Sequence, residues 1–350
     1  MTQPPDPSGT FDSPASEKSP SAAAPHRVPP QLYLVPLLVA SLLVVVWLVF
    51  SWSLPAEYDP QTLVRDMRVP NHGNWQKAYA LAELLRDPRN EALRESAVLC
   101  GELAAILEEQ LRTANDDRSQ LQFRVFLCRA LGEFHVPDGL PSLVQAAEVS
   151  HRKGHVDVHC ASLEALAVLA ENAGPDVLLR DARAMSVLLD ASRVTSDPGA
   201  SISNDRVAST AAFTLGVVGG PVATQRLRQL LDDRRPAVRY NAATGLARHG
   251  DTASIPVLLE MLDTDHHLSL EQEADAAWSA RHRELVLSNA LRAAARLVAA
   301  NPQADRRGLM DALERLHGAP ALPARLRSAV QAAQAELREQ HGRSSDGGGL

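Results

Sequence analysis

Apolar residues recur along this chain in one register at four places. With Leu246 as the reference, Val238 lies eight residues before it, Ala242 and Ala243 four and three before, and Leu258 and Leu262 twelve and sixteen after. The same offsets from Leu215 give Val207, Ala211, Ala212, Leu227 and Leu231; from Leu131 they give Phe123, Leu127, Cys128, Leu143 and Ala147. From Leu166 they give Val158, Ser162, Leu163 and Leu178. Offsets of three, four and eight place side chains on one face of an α-helix, so each register predicts a pair of helices. Gly219 and Gly250 stand four residues beyond their references, where a positive φ closes the first helix. Asp251 can cap the next helix, and Pro141 and Pro256, ten residues beyond, fall in the first turn of the second.

The references are spaced by 35, 49 and 31 residues. A two-helix repeat takes roughly 30–47 residues, so the long interval predicts an additional helix and a mobile loop ending near Asn204. Downstream, 285–300, 305–318 and 322–340 read as three more helices, the last two charged along one face as a closing repeat requires. The expected fold class is all-α, an α-solenoid over residues 55–340. A Pro/Ser/Ala-rich tail over 1–30 and the terminus 341–350 are expected to be disordered.

No charged residue occurs between Arg27 and Glu57. Residues 31–54 therefore read as a single transmembrane helix: Leu32–Leu54 would span about 34 Å at roughly 1.5 Å per residue, against a hydrocarbon core of roughly 30 Å. Tyr33 and Trp52 mark its ends as interfacial aromatics do. A cleaved leader would show a shorter apolar core and small residues at the cut, which WSLPAEY does not supply. The flanking positive charges tie. Arg27 lies close to the run and Glu57 and Asp59 follow it, which points to an N-terminus in the cytoplasm; three unpaired cysteines in the large domain point the other way.

Composition narrows the function classes. The chain is 45% hydrophobic with 4% aromatic residues, which suits helices packed through Ala and Leu. Its formal net charge is −7, without the clustered Lys and Arg that nucleic acid demands, so no nucleic-acid partner is expected. Cys100, Cys128 and Cys160 form no CxxC pair and sit in apolar helical patterns, as small buried hydrophobes do.

Candidate chemistry is sparse. His151, His155 and His159 recur every four residues with Cys160 beside them, a set suited to zinc if one helix carried them all. Gly154 and the register of Val158 instead place a turn among them, so the three imidazoles are not expected to align and a solvated loop is expected. His266, His267, Glu271 and Glu273 fall in a polar connection between helices. No phosphate loop, HExxH or nucleophile elbow occurs, and neither catalytic, metal nor cofactor-binding residues are assigned.

VRYNAATGLARHGDTASIPVLLEML at 238–262 resembles a HEAT repeat of the short bacterial kind, similar to those of phycobilisome lyase subunits. NWQKAYALAELLRDP at 74–88 resembles the opening repeat of membrane-anchored bacterial HEAT-repeat proteins of unassigned activity. The resemblance spans roughly residues 60–340. HEAT-fold di-iron hydroxylases use His-Glu pairs as ligands, but Gly250 stands where the Glu would follow His249, and His135 also lacks one. The repeats, the apolar run and the lack of a catalytic constellation together lead to the expectation of a binding scaffold for protein partners, held at a membrane by one helix, without enzymatic activity or cofactor. Gln145, Gln229 and Glu260 on the second helices are the expected contact positions. The alternative is a HEAT-fold enzyme or lyase acting on a cofactor-bearing protein.

Overall fold

In the computed structural model the described residues are 59–113, 116–193, 202–263, 276–319 and 322–346. The first helices are α1 (Pro60–Met67), α2 (Asn74–Arg86), the short α3 (Glu91–Arg94), α4 (Ala97–Arg112) and α5 (Arg118–Gly132). Then come α6 (Leu140–Lys153), α7 (Val156–Ala173), the short α8 (Asp176–Leu179), α9 (Ala182–Ala191), α10 (Ile202–Val218) and α11 (Gly220–Leu230). The last are α12 (Pro236–Arg248), α13 (Ile255–Leu262), α14 (Ala276–Ala300), α15 (Arg307–Gly318) and α16 (Ala324–Asp346). No strand occurs among the described residues.

Local chemistry sets the helix starts. The side chains of Asp59, Ser96, Asp117 and Asp181 accept backbone N–H bonds at the starts of α1, α4, α5 and α9, each cap being worth about 1 kcal/mol. Pro141 and Pro256 occupy the first turns of α6 and α13 as the spacing predicts. Gly219 and Gly250 have φ of 68° and 73°, the positive values their repeat position requires.

The helices pair as antiparallel hairpins, and the pairs stack. First helices form one layer in the order α2, α5, α7, α10, α12, α14, each touching the next, and α16 closes against α14 and α15. The second helices α4, α6, α9, α11, α13 and α15 form the other layer. This is an all-α helical repeat solenoid. Every residue of the four registers is buried except Val207 and Leu231, which are half-buried. On α12, Val238, Ala242 and Leu246 belong to the core running back to Leu63, while Tyr240, Ala243 and Ala247 belong to the core running on to Leu337. One helix thus joins two cores.

The layer of first helices is tight because small residues face one another. A Cβ on Gly216 would lie 2.6 Å from Gly245 Cα, and one on Gly132 would lie 2.9 Å from Ala165 Cα. Side chains then bracket repeat to repeat. Asn172 Nδ2 donates to Gly132 O at 3.1 Å, and Thr214 Oγ1 to Leu163 O at 2.9 Å. Asn301 Nδ2 donates to Gly250 O at 3.0 Å. Each bond satisfies a carbonyl on the preceding first helix or in the turn that ends it.

The third pair carries the additional helix that its long interval predicts. Leu178 is buried in the short α8, and the second helix proper is α9, so the register that works elsewhere falls short here by one small helix. α10 begins at Ile202, and residues 194–201 lie outside the described residues. So do 1–58, including the tail over 1–30 and the candidate span 31–54. Among the described residues no helix is long and apolar enough to cross a membrane. α16 continues to Asp346, past Gln340, where the sequence pattern fades.

Candidate functional site

The three histidines meet the turn the sequence predicts, but with a different outcome. Gly154, at φ 70°, ends α6, and His155 occupies the N-cap of α7. The chain reversal brings His151 and His159 together, their ring centroids 5.4 Å apart and edge to face. His155 turns away, its Nε2 3.6 Å from Asp116 Oδ2. His159 is only 4% exposed, so it belongs to the core margin and not to the solvated loop the sequence suggested. Burial, and secondarily the neighbouring His151, push its pKa down to about 4, which keeps the ring neutral at physiological pH. Two cavities of about 110 and 150 Å³ flank the pair, both also lined by Asp190 and Ala191. Ser150 borders the larger one and is itself buried. Cys160 lies beside Thr210 of α10 instead of joining the imidazoles.

A grouping that could hold a metal lies elsewhere. One ligand atom each from Glu91, Glu95 and His135 fall within 4.8 Å of one another. The His135 N–H bonds Arg94 O at 2.9 Å and so fixes the juxtaposition. No sequence signal pairs residues this far apart. Both glutamates are exposed, where carboxylates gather without an ion, and no role is assigned to them. His249 is structural: its Nε2 lies 2.9 Å from Gly216 O, which makes that nitrogen the protonated one. The cluster 265–273 lies outside the described residues.

The three expected contact positions differ. Gln145 is half-buried on α6, and Gln229 is exposed on α11, where its Oε1 accepts from Arg226 Nη1 at 3.0 Å. Glu260 is not free for a partner. Its Oε1 accepts from Tyr240 OH at 3.0 Å and pairs with the Arg239 guanidinium, bracing α13 against α12. The cysteines are free and buried, and burial raises the Cys100 and Cys128 thiols to about 12.

The fold is therefore that of a helical repeat protein. Residues 199–278, which include α10 to α13, match the family of HEAT repeats. Similar solved structures include two engineered proteins from the Northeast Structural Genomics Consortium. One is 14% identical, covering 81% of this chain and 97% of its own, with a TM-score of 0.34. The other is 13% identical, covering 81% and 98%, with a TM-score of 0.22. No curated protein matches the chain.

Proposed function

We propose that this chain is a membrane-anchored HEAT-type scaffold that binds other proteins at the membrane surface. The observation that carries the binding role is the solenoid itself. Stacked hairpins present a long, rigid surface built from two helix layers, the form in which repeat architectures recognise partners. The charge-free run between Arg27 and Glu57 supports the anchor, which would hold partners at high local concentration. Arg27 before the run and Glu57 and Asp59 after it support a cytoplasmic N-terminus. In this reading no residue turns over a substrate.

The test is proximity labelling in cells with the labelling enzyme fused after Leu350, alongside alkaline extraction of membranes. The full chain should stay with the membrane, a deletion of 31–54 should release it, and labelling should recover a discrete set of neighbours. Release of the intact chain by alkali would remove the anchor. Stoichiometric metal or a bound chromophore in the purified chain would favour an enzyme or lyase instead.

A further inference from the structure

We propose that the groove between α14 and α16 receives an acidic amphipathic helix of the partner protein. The proposal rests on the scaffold reading and narrows it to one face and one chemistry.

The groove encloses about 900 Å³. From α14, Arg281, Leu285, Arg292 and Arg296 line it, at spacings that form one helical stripe. From α16 come Ala329 and Ala333, whose small side chains leave room for an incoming element. Its floor is apolar: Leu291 and Leu326 are both 3% exposed, whereas Leu285 is 55% exposed.

Charge selects the occupant. Four arginines line the groove against two glutamates, Glu284 and Glu336, although the whole chain carries −7. Glu284 lies 3.9 Å from Arg325. Arg292 donates to Asn289 Oδ1 and Ser288 O. Among the described residues Arg281, Arg292 and Arg296 have no carboxylate partner. By contrast, Arg86, Arg183, Arg239 and Arg248 each hold a carboxylate far along the chain. A guanidinium presents a planar fork that fits a carboxylate with two bonds, so arginines without a carboxylate partner among the described residues, beside an apolar trough, suit a helix with Leu on one face and Glu along its flanks. Nucleic acid fits poorly: the floor is apolar, the rim holds two glutamates and the chain as a whole is acidic.

The test uses the full chain in nonionic detergent and a fluorescent peptide with Leu at i, i+3, i+4 and i+7 flanked by Glu. The controls are a scrambled peptide, the same peptide with Lys for Glu, and a single-stranded RNA. Anisotropy should rise with the acidic peptide alone. The Arg292→Glu/Arg296→Glu variant should weaken that binding at least ~10-fold and bind the Lys peptide instead. Ala332→Trp, which fills the trough without changing charge, should also weaken it, with the helical circular dichroism of both variants unchanged. No binding up to about 1 mM, equal binding of the scrambled peptide, preference for RNA, or a charge-reversed variant that binds the acidic peptide as before would each overturn the groove. So would self-association that the charge reversal abolishes, which would make the occupant a second copy. In all of these cases partner labelling from the Leu350 fusion would be untouched, so failure of the groove and failure of the scaffold are separable.

Discussion

Arg124, fully buried on α5, donates from Nη1 to Asp116 Oδ1 at 2.6 Å. Asp116 also meets Lys153 Nζ at 3.2 Å and His155 Nε2 at 3.6 Å, so one carboxylate ties the start of one repeat to the turn between α6 and α7. The Arg124 bond, with help from Lys153, holds the Asp116 pKa below the usual carboxylate value. A depressed folded value means the contribution is whole above the unfolded pKa of about 4 and is lost as pH falls through the folded one. Asp116→Asn should cost about 2–4 kcal/mol at neutral pH by removing the charge paired with a buried guanidinium, and should flatten the acid limb of a urea-midpoint profile. An unchanged midpoint would show the tie to be idle.

His159 gives a second, separable pH dependence. Its folded pKa of about 4 lies below the ordinary value of 6.5. The unfolded chain therefore binds the proton first: stability is whole above pH 6.5 and falls between there and pH 4, by up to about 3 kcal/mol. Glu148, His151, Arg152, Asp190 and Arg193 line the flanking cavities and set the local field. His159→Leu should remove this slope and leave the more acidic Asp116 limb in place. Urea midpoints across this range are the measurement.

The contact of Gly216 with Gly245 predicts opposite effects of one chemical change. Gly216→Ala or Gly245→Ala sets a methyl against backbone and should destabilise by about 1–3 kcal/mol. Gly101→Ala, inside α4 with nothing within 4 Å of the new carbon, should stabilise by about 0.5–1 kcal/mol. Chemical denaturation of the three variants checks both signs.

The cysteines should be silent. With thiols raised and buried, Cys100 and Cys128 should not react with dithionitrobenzoate in the native chain, and all three should react in denaturant. Rapid native labelling would mean local opening of α4 or α5.

The repeats were legible because their information is local. Leu246 with Val238 and Ala242 is a spacing on one helix, and Gly250 needs only its own φ, so periodicity captured both. In the third pair the long interval announced an additional helix, but Leu178 lies on the short α8, and an apolar mark does not tell which of two successive helices is the second helix proper. The site residues were harder. Glu260 is polar and regularly placed, and only the fold shows Tyr240 and Arg239 claiming it. His159 reads as a loop residue until the turn at Gly154 lays it against His151. Arg124 sits among Phe123, Leu127 and Cys128, where a buried charge is legible only through Asp116.

An experimental density map of the full chain tests the repeat architecture most directly. The account predicts α2, α5, α7, α10, α12 and α14 stacked in that order, with Gly216 and Gly245 in backbone contact at the α10–α12 crossing. Strands among the described residues, or helix bundles in which α10 and α12 do not touch, would contradict it.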